Sequence, residues 1–351
     1  MPKLNVGHAY LLAWRYARYV PEPILRGLVN LGADIAWLKH GKGVKRLESN
    51  YAKVRPDLSA AEIRQLAKKG LRAYARYFRE AFTLPGATPE QLNARVRAEG
   101  LADLKPLLEN GQGVVIPLGH FGNWDMAGAW SASNLAPLLT VAEKLSPPKL
   151  YQEFLNFRQS LGMTVLGLGD DGVFDALTAG ASDGPRLIAL LGDRDLSRRG
   201  VEVTLAGHRA RVAAGPAALS LATGAPLVPA LIRHEKLTGK RRRAAGTPWG
   251  IVIDFTKPIW PVVTSADGEI AGQARKDGYS LARNSGSLPI CEASRWGAQD
   301  GGDTVESLTQ KWVNVISEFI TEYPADWHML QRVFVEDLVP DRYAAAVGTE
   351  I

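Results

Sequence analysis

Apolar and polar positions along the chain switch repeatedly between a helical and a strand-like period. Ser59-Ala60-Ala61-Glu62 has the form of a capping box. Ile63, Leu66, Tyr74, Tyr77 and Phe78 follow at mostly helical spacing, which predicts a helix to about Phe82 with these residues facing the core or lipid. Thr88-Pro89-Glu90-Gln91 opens a short helix by the same logic, with proline at the first helical position. Val96 falls in a short strand, and Leu101 to Leu108 form a helix that closes near Gly111. The β-branched run Val114 to Leu118 reads as a buried strand, and a helix-like segment, Met126 to Trp130, follows it.

Beyond this point strands and helices alternate. Strands are predicted at Leu138 to Ala142, Met163 to Leu166, Leu187 to Leu191, Leu227 to Ile232 and Ile251 to Phe255. Helices are predicted at Leu150 to Leu161, Gly172 to Leu177, Ala213 to Thr223 and, amphipathic, Val305 to Glu322. This alternation implies an α/β fold with a mixed, mostly parallel central sheet covered by helices on both faces. Residues 264–302 break the pattern: they are rich in Gly, Ser and Ala, lack periodicity and read as a partly disordered surface insertion. An aromatic-rich closing segment, Tyr323 to Gln331, follows the last helix, and the tail beyond Asp341 reads as loose.

Charge changes the picture at one end only. The net charge is +6, but residues 1–56 hold ten Lys/Arg against three acids, a balance of +7, and the remainder is close to neutral. Residues 8–40 suggest two helices broken at Pro21 to Pro23, with Trp14, Tyr16, Tyr19 and Trp37 beside Arg and Lys. Aromatics next to cations suit the headgroup level of a bilayer. A pair of core helices with a solvated basic face fits the same residues. No uncharged run is long enough to span a membrane, and no signal-peptide pattern opens the chain. The division expected is a basic amphipathic segment, 1–56, and a catalytic region, 57–351, forming one structural unit.

Composition narrows the chemistry. Cys291 is the only cysteine, which rules out a disulfide within the chain and a Cys-based zinc site. The six histidines (8, 40, 120, 208, 234 and 328) lack metal-ligand spacing, so neither a metal nor a bound cofactor is expected. His208 reads as a turn residue. The basic amino end carries no nucleic-acid-binding motif, so nucleic acid is not an expected partner.

Candidate chemistry gathers where strands end, because in open α/β sheets the loops at the C-terminal edge carry the reacting groups. His120 follows the strand Val114 to Leu118, and Asp125 lies five positions on. A turn can bring the Asp125 carboxylate to one imidazole nitrogen and leave the other basic and outward-facing, the arrangement a general base needs. The same spacing also arises as a local turn cap. Gly192-Asp193-Arg194-Asp195 follows the second buried strand in the same way, as a cleft group or as an acidic loop paired with Arg198 or Arg199. Glu143 and Lys144 end a third strand. Arg158, a helix cation, can clamp a phosphate bidentately or face solvent.

The stretch His120-Phe121-Gly122-Asn123-Trp124-Asp125 resembles the His-x4-Asp/Glu signature of the lysophospholipid and lipid A acyltransferase superfamily. GQGVVIPLGHFGNWD, LLGDRDLSRRGVEV, AGPAALSLATGAPLVPALIR and YPADWHMLQRVFVEDL narrow the likeness to the actinobacterial phosphatidylinositol mannoside acyltransferases, relatives of the lipid A lauroyl and myristoyl transferases. The resemblance covers about residues 10–260 and 303–340, and departs most in the 264–302 insertion.

It implies a glycerolipid acyltransferase-like fold and direct transfer of a long acyl chain from acyl-CoA, a co-substrate, to a glycolipid hydroxyl. The acceptor implied is a mannose of phosphatidylinositol mannoside, at the cytoplasmic face of an anionic cell membrane. His120 would be the base and Asp125 its orienter. Asp193 stands where the family commonly has Glu and belongs to the active site; Asp keeps the charge with one methylene less reach. Arg158, Glu143, Lys144 and Arg194 would bind substrate. Direct attack by the acceptor requires no nucleophilic Ser or Cys, and no Gly-x-Ser-x-Gly elbow is present. Acceptors of the lipid A or lysophospholipid type, or a lipid-binding protein without turnover, are the alternatives.

Overall fold

In the computed structural model, the described residues are 16–144, 147–195, 197, 199–263 and 302–338. The segment 264–301, with Cys291, the first fifteen residues and the tail beyond 338 lie outside them, and with them most of the expected insertion and part of the basic amino end.

Among the described residues the first α-helices are α1 (Glu22–Lys39), α2 (Lys42–Val54) and α3 (Ala60–Thr83). Ser59 and Glu62 make the expected capping box, so α3 starts where the sequence places it. Short helix α4 (Pro89–Arg95) carries a second such box, from Thr88 and Gln91. The remaining helices are α5 (Leu101–Glu109), α6 (Trp124–Asn134), α7 (Pro148–Ser160), α8 (Val173–Ser182), α9 (Gly215–Thr223), α10 (Gly239–Ala245) and α11 (Val305–Glu322).

Four parallel strands form the central sheet. They are β2 (Gly113–Leu118), β3 (Leu138–Ala142), β4 (Met163–Gly167) and β5 (Arg186–Leu191), in the order β2-β5-β3-β4. Three more, β1 (Val96–Glu99), β8 (Ala230–Lys236) and β9 (Trp249–Phe255), pair in the order β1-β9-β8, with β8 antiparallel to β9. Just before β8, Leu227 bridges to Val115 and joins the two groups. Helices flank this mixed, mostly parallel sheet, the α/β class expected.

A hairpin of β6 (Val201–Leu205) and β7 (His208–Val212), which the sequence reading passes over, packs on α11. There Gln310 Oε1 accepts from Thr204 N–H at 2.8 Å. His208 is the first residue of β7, directly after the two-residue turn, not a turn residue itself.

Register decides where the chemistry lies. β2 is buried along its whole length, and its neighbour β5 pairs with Leu118 opposite Leu191. The Gly192 N–H then donates to the Leu118 carbonyl at 2.8 Å, so both chains leave the sheet at one level. Residues two positions beyond each strand, His120 and Asp193, are therefore neighbours although 73 residues apart. On one sheet face Ile116 and Leu118 of β2 and Leu187 and Ala189 of β5 lie under the small residues Ala127 and Gly128 of α6. They bound a small apolar cavity of about 60 Å³.

Candidate active site

The loop after β2 is held from three sides. Gly122 sits at φ +48°, and a Cβ there would come 2.7 Å from the Ile232 carbonyl oxygen, so only glycine fits this turn. Asn123 caps α6 by accepting from the Met126 N–H at 2.9 Å, and its own amide donates to Glu80 of α3 at 3.0 Å. From the far end of the chain, residues 324–330 close over the loop. The Asp326 carbonyl accepts from the Gly122 N–H, and the His328 N–H donates to the His120 carbonyl, each at 2.9 Å.

His120 projects from this loop with its side chain 40% exposed, whereas Asp193 is fully buried. The Asp193 carboxylate lies 2.7 Å from His120 Nδ1 and accepts from the His120 backbone N–H at 3.0 Å. A third donor, the indole N–H of the buried Trp327, reaches the same carboxylate at 3.0 Å. Burial alone would lower the His120 pKa, but the charge and hydrogen bond of Asp193 outweigh it and raise the value above that of an ordinary histidine. Burial likewise pushes Asp193 upward, and its contacts with His120 and Trp327 bring it below the usual carboxylate range. The pair fixes the imidazole with Nδ1 inward and Nε2 away from Asp193. Trp124 packs edge-on against the His120 ring and also lines the apolar cavity, so histidine and cavity share a wall.

Asp125 does not fill the place expected of it. It belongs to the first turn of α6, buried, where it accepts from the Tyr77 hydroxyl and from Arg158 Nε, each at 2.7 Å. Helix α6 starts at Trp124, which turns the Asp125 carboxylate toward α3 and α7, and the acid that reaches His120 Nδ1 is Asp193. Arg158 is accordingly not a solvent-exposed cation, and its Nε is committed to Asp125. Although burial disfavours its charge, the Asp125 carboxylate more than compensates and its pKa is raised. The reading of Asp193 as a surface acid paired with Arg198 or Arg199 falls with its full burial.

The lesser candidates divide. Arg194 follows Asp193 and donates through Nε to the Arg332 carbonyl at 3.1 Å. Burial lowers its pKa, opposed by the nearby charges of Asp193 and Glu143. Glu143 thus stands at the same sheet edge. Lys144 pairs instead with Asp170, both well exposed.

Trp327, Tyr77 and Asp326 are the contributors that sequence reasoning assigns no role. Tyr77 reads only as an apolar helix position, and Asp326 and Trp327 sit in the quoted motif YPADWHMLQ without a stated partner. Among the described residues no three His, Cys, Asp or Glu side chains gather as a metal-binding group. The N–H groups of His120, Phe121 and Gly122 all have acceptors within the protein, so the donors for a reacting oxyanion lie elsewhere.

A strand-end histidine held by a buried acid beside an apolar cavity suits acyl transfer, and comparison with known proteins places the chain in that class. It belongs to the bacterial lipid A biosynthesis acyltransferase family, whose model matches residues 1–245, and it is an acyltransferase. Within that class it is similar to the phosphatidylinositol mannoside acyltransferase of Mycolicibacterium smegmatis, with 33% identity over 342 residues, 97% of this chain and 94% of that protein. The phosphatidylinositol mannoside acyltransferase of Mycobacterium tuberculosis H37Rv is 32% identical over 340 residues, 96% of this chain and 90% of its own length.

Proposed function

We propose that the protein transfers a long acyl chain from acyl-CoA to a hydroxyl of a glycolipid, a mannose of phosphatidylinositol mannoside, with His120 as general base. The observation that carries this is the 2.7 Å pairing of His120 Nδ1 with buried Asp193. Nε2 takes the proton of the acceptor hydroxyl as its oxygen attacks the thioester carbonyl, and Asp193 stabilises the imidazolium that forms. Collapse of the tetrahedral intermediate expels the thiolate, which takes the proton back from Nε2 and leaves as free thiol. Asp125 has a different part: with Arg158 and Tyr77 it braces α6 under the site. The cavity beside Trp124 receives part of the acyl chain, because its walls are mostly apolar and an alkyl chain gains by leaving water. The mannose acceptor is drawn from the names of the two mycobacterial relatives.

A peripheral seat on the cytoplasmic face of the cell membrane belongs to the same reading. Ile24, Leu28, Leu31, Ile35 and Leu38 recur at helical spacing along α1 and are 44% to 68% exposed. Beside them lies the positive balance of residues 1–56. Among the described residues no helix is long and apolar enough to cross a membrane.

Incubating the protein with palmitoyl-CoA and phosphatidylinositol mannosides, with lysophospholipid as the competing acceptor, tests the assignment. Free thiol and acylated mannolipid should appear together, and His120→Ala should reduce both by about 100-fold or more. Thiol release without an acylated mannolipid, or near-normal transfer by the variant, would refute it.

A further inference from the structure

Several basic side chains near the amino end have an acid to answer them. Arg72 pairs with Asp34, Arg64 with Glu48, Arg55 with Asp57 and Lys53 with Asp337. Lys42, Lys45 and Arg46 of α2 and Arg332 of the closing segment have no acidic partner among the described residues, and all four line one open cavity of about 400 Å³. The single acid in that lining, Asp337, is already engaged by Lys53, which donates to both carboxylate oxygens at 3.0 Å, and by the Ser49 hydroxyl at 3.4 Å. The first turn of α2 also carries lysine and no acid, the reverse of what the helix dipole favours. Like charges held around one concavity repel one another, and an anion between them removes that repulsion.

Arg194 links the cavity to the dyad. Arg332 is fixed by its carbonyl, which accepts from Arg194 Nε, and Arg194 follows Asp193 in the chain. Arg46 is close enough to Arg194 for the two charges to oppose each other. The wall itself is firm: the Asn50 amide donates to the carbonyls of Met329 and Gln331 at 2.7 and 2.8 Å. Arg158, the cation that the sequence offers for a phosphate, is largely buried against Asp125.

We propose that the cavity lined by Lys42, Lys45, Arg46 and Arg332 binds the phosphate groups of a substrate and so places that substrate against His120. Two sources carry this chemistry: the clustered phosphates of the acyl donor and the single phosphodiester of a glycolipid acceptor. Four uncompensated cations match clustered phosphates better than one phosphodiester. The choice of probes rests on the acyl-CoA-dependent reading above; the anion site does not.

Calorimetric titration of the full chain separates the sources, with coenzyme A in one arm and glycerophosphoinositol in the other, each at low and high salt. The expected result is that coenzyme A binds, that salt weakens it, and that Arg46→Gln/Arg332→Gln weakens it by at least about tenfold, the effect of 1.4 kcal/mol. Glycerophosphoinositol behaving this way instead assigns the same cavity to the acceptor. If the double variant does not fold, Lys42→Gln/Lys45→Gln, at two exposed positions, serves in its place. Binding of neither probe, or binding indifferent to these substitutions, overturns the proposal.

Kinetics make a second, independent reading. The variants should lose at least about tenfold more kcat/KM with palmitoyl-CoA than with palmitoyl-pantetheine, which lacks the phosphates, if the donor is the ligand. Should the acceptor be the ligand, its KM rises instead. Acyl transfer with both KM values unchanged defeats the phosphate site and leaves the proposed activity standing. Substitution-sensitive binding in a protein that transfers no acyl group does the opposite.

Discussion

Asp193 holds its charge where burial works against one, and His120 is what makes that charge tolerable. The benefit is mutual, because the same carboxylate raises the proton affinity of the imidazole. Asp193→Asn removes the raising influence, so the acid limb of kcat/KM, where the free base is lost, should move to lower pH. Turnover at neutral pH should fall by at least about 100-fold, since the imidazolium loses its counter-charge. A pH–rate profile measures both, and an acid limb that stays in place would disprove the pairing. Trp327→Phe deletes one of the three hydrogen bonds to Asp193. We expect a cost of about 1 kcal/mol in urea unfolding and about a tenfold loss of kcat with little change in KM, from a dyad held less firmly. Sequence locates His120 well, because a buried strand ending in a polar turn is a local pattern. Its partner is not local. Asp125 is the nearer acid along the chain, but which strand lies beside β2 is settled by tertiary packing, and β3 and β4 intervene in sequence before β5.

Among the elements, α6 and α7 depend on one buried ion pair. Asp125 in the first turn of α6 and Arg158 near the end of α7 face each other over Tyr77 of α3. Arg158→Ala leaves that carboxylate buried with only the tyrosine, and should destabilise the fold by about 3–5 kcal/mol. Chemical denaturation of that variant checks the figure; an unchanged midpoint with a raised acceptor KM would return Arg158 to substrate binding. The closing segment makes a separate contribution through His328. Its burial, reinforced by the His234 charge, pushes the pKa down to about 3, below the ordinary value of about 6.5. The unfolded chain therefore binds a proton that the folded one refuses, and stability falls as pH drops from about 6.5 toward 3, by up to about 1.4 kcal/mol per pH unit. His328→Gln should show a shallower fall over that range in denaturation midpoints. Strands β2 and β5 and the capped helices α3 and α4 are readable from runs and caps. Helix α2 is not: Val44, Leu47, Tyr51 and Val54 line its buried face, but the charges between them make the stretch read as part of a basic tail. The β6–β7 hairpin is likewise hidden, although Val201, Val203 and Leu205 alternate with Glu202 and Thr204, because the charged loop before it dominates the local composition.

At the scale of the whole molecule, one helix presents oil to the outside. Helix α1 packs on α3 through Trp37 and Asp34 and leaves five of its large aliphatic side chains uncovered. Replacing Leu28, Leu31 and Leu38 by Ser should release the protein from anionic vesicles in flotation assays, by at least about tenfold in bound fraction, since each leucine withdrawn from water contributes about 1.5–3 kcal/mol. Activity on detergent-dispersed acceptor should fall much less, and equal flotation by variant and parent would exclude this face as the anchor. The closing segment has a further bearing at this scale. Its contacts run from residues 326–328 back to Gly122, His120 and Asp193, groups made roughly 130 to 200 positions earlier. A ribosome finishes the sheet, and both halves of the dyad, well before it makes the residues that fasten them. Synthesis proceeds at about 5–20 residues per second, so the residues that fasten the dyad are made on the order of ten seconds after it, and competence for transfer has to wait for the last part of the chain to be made.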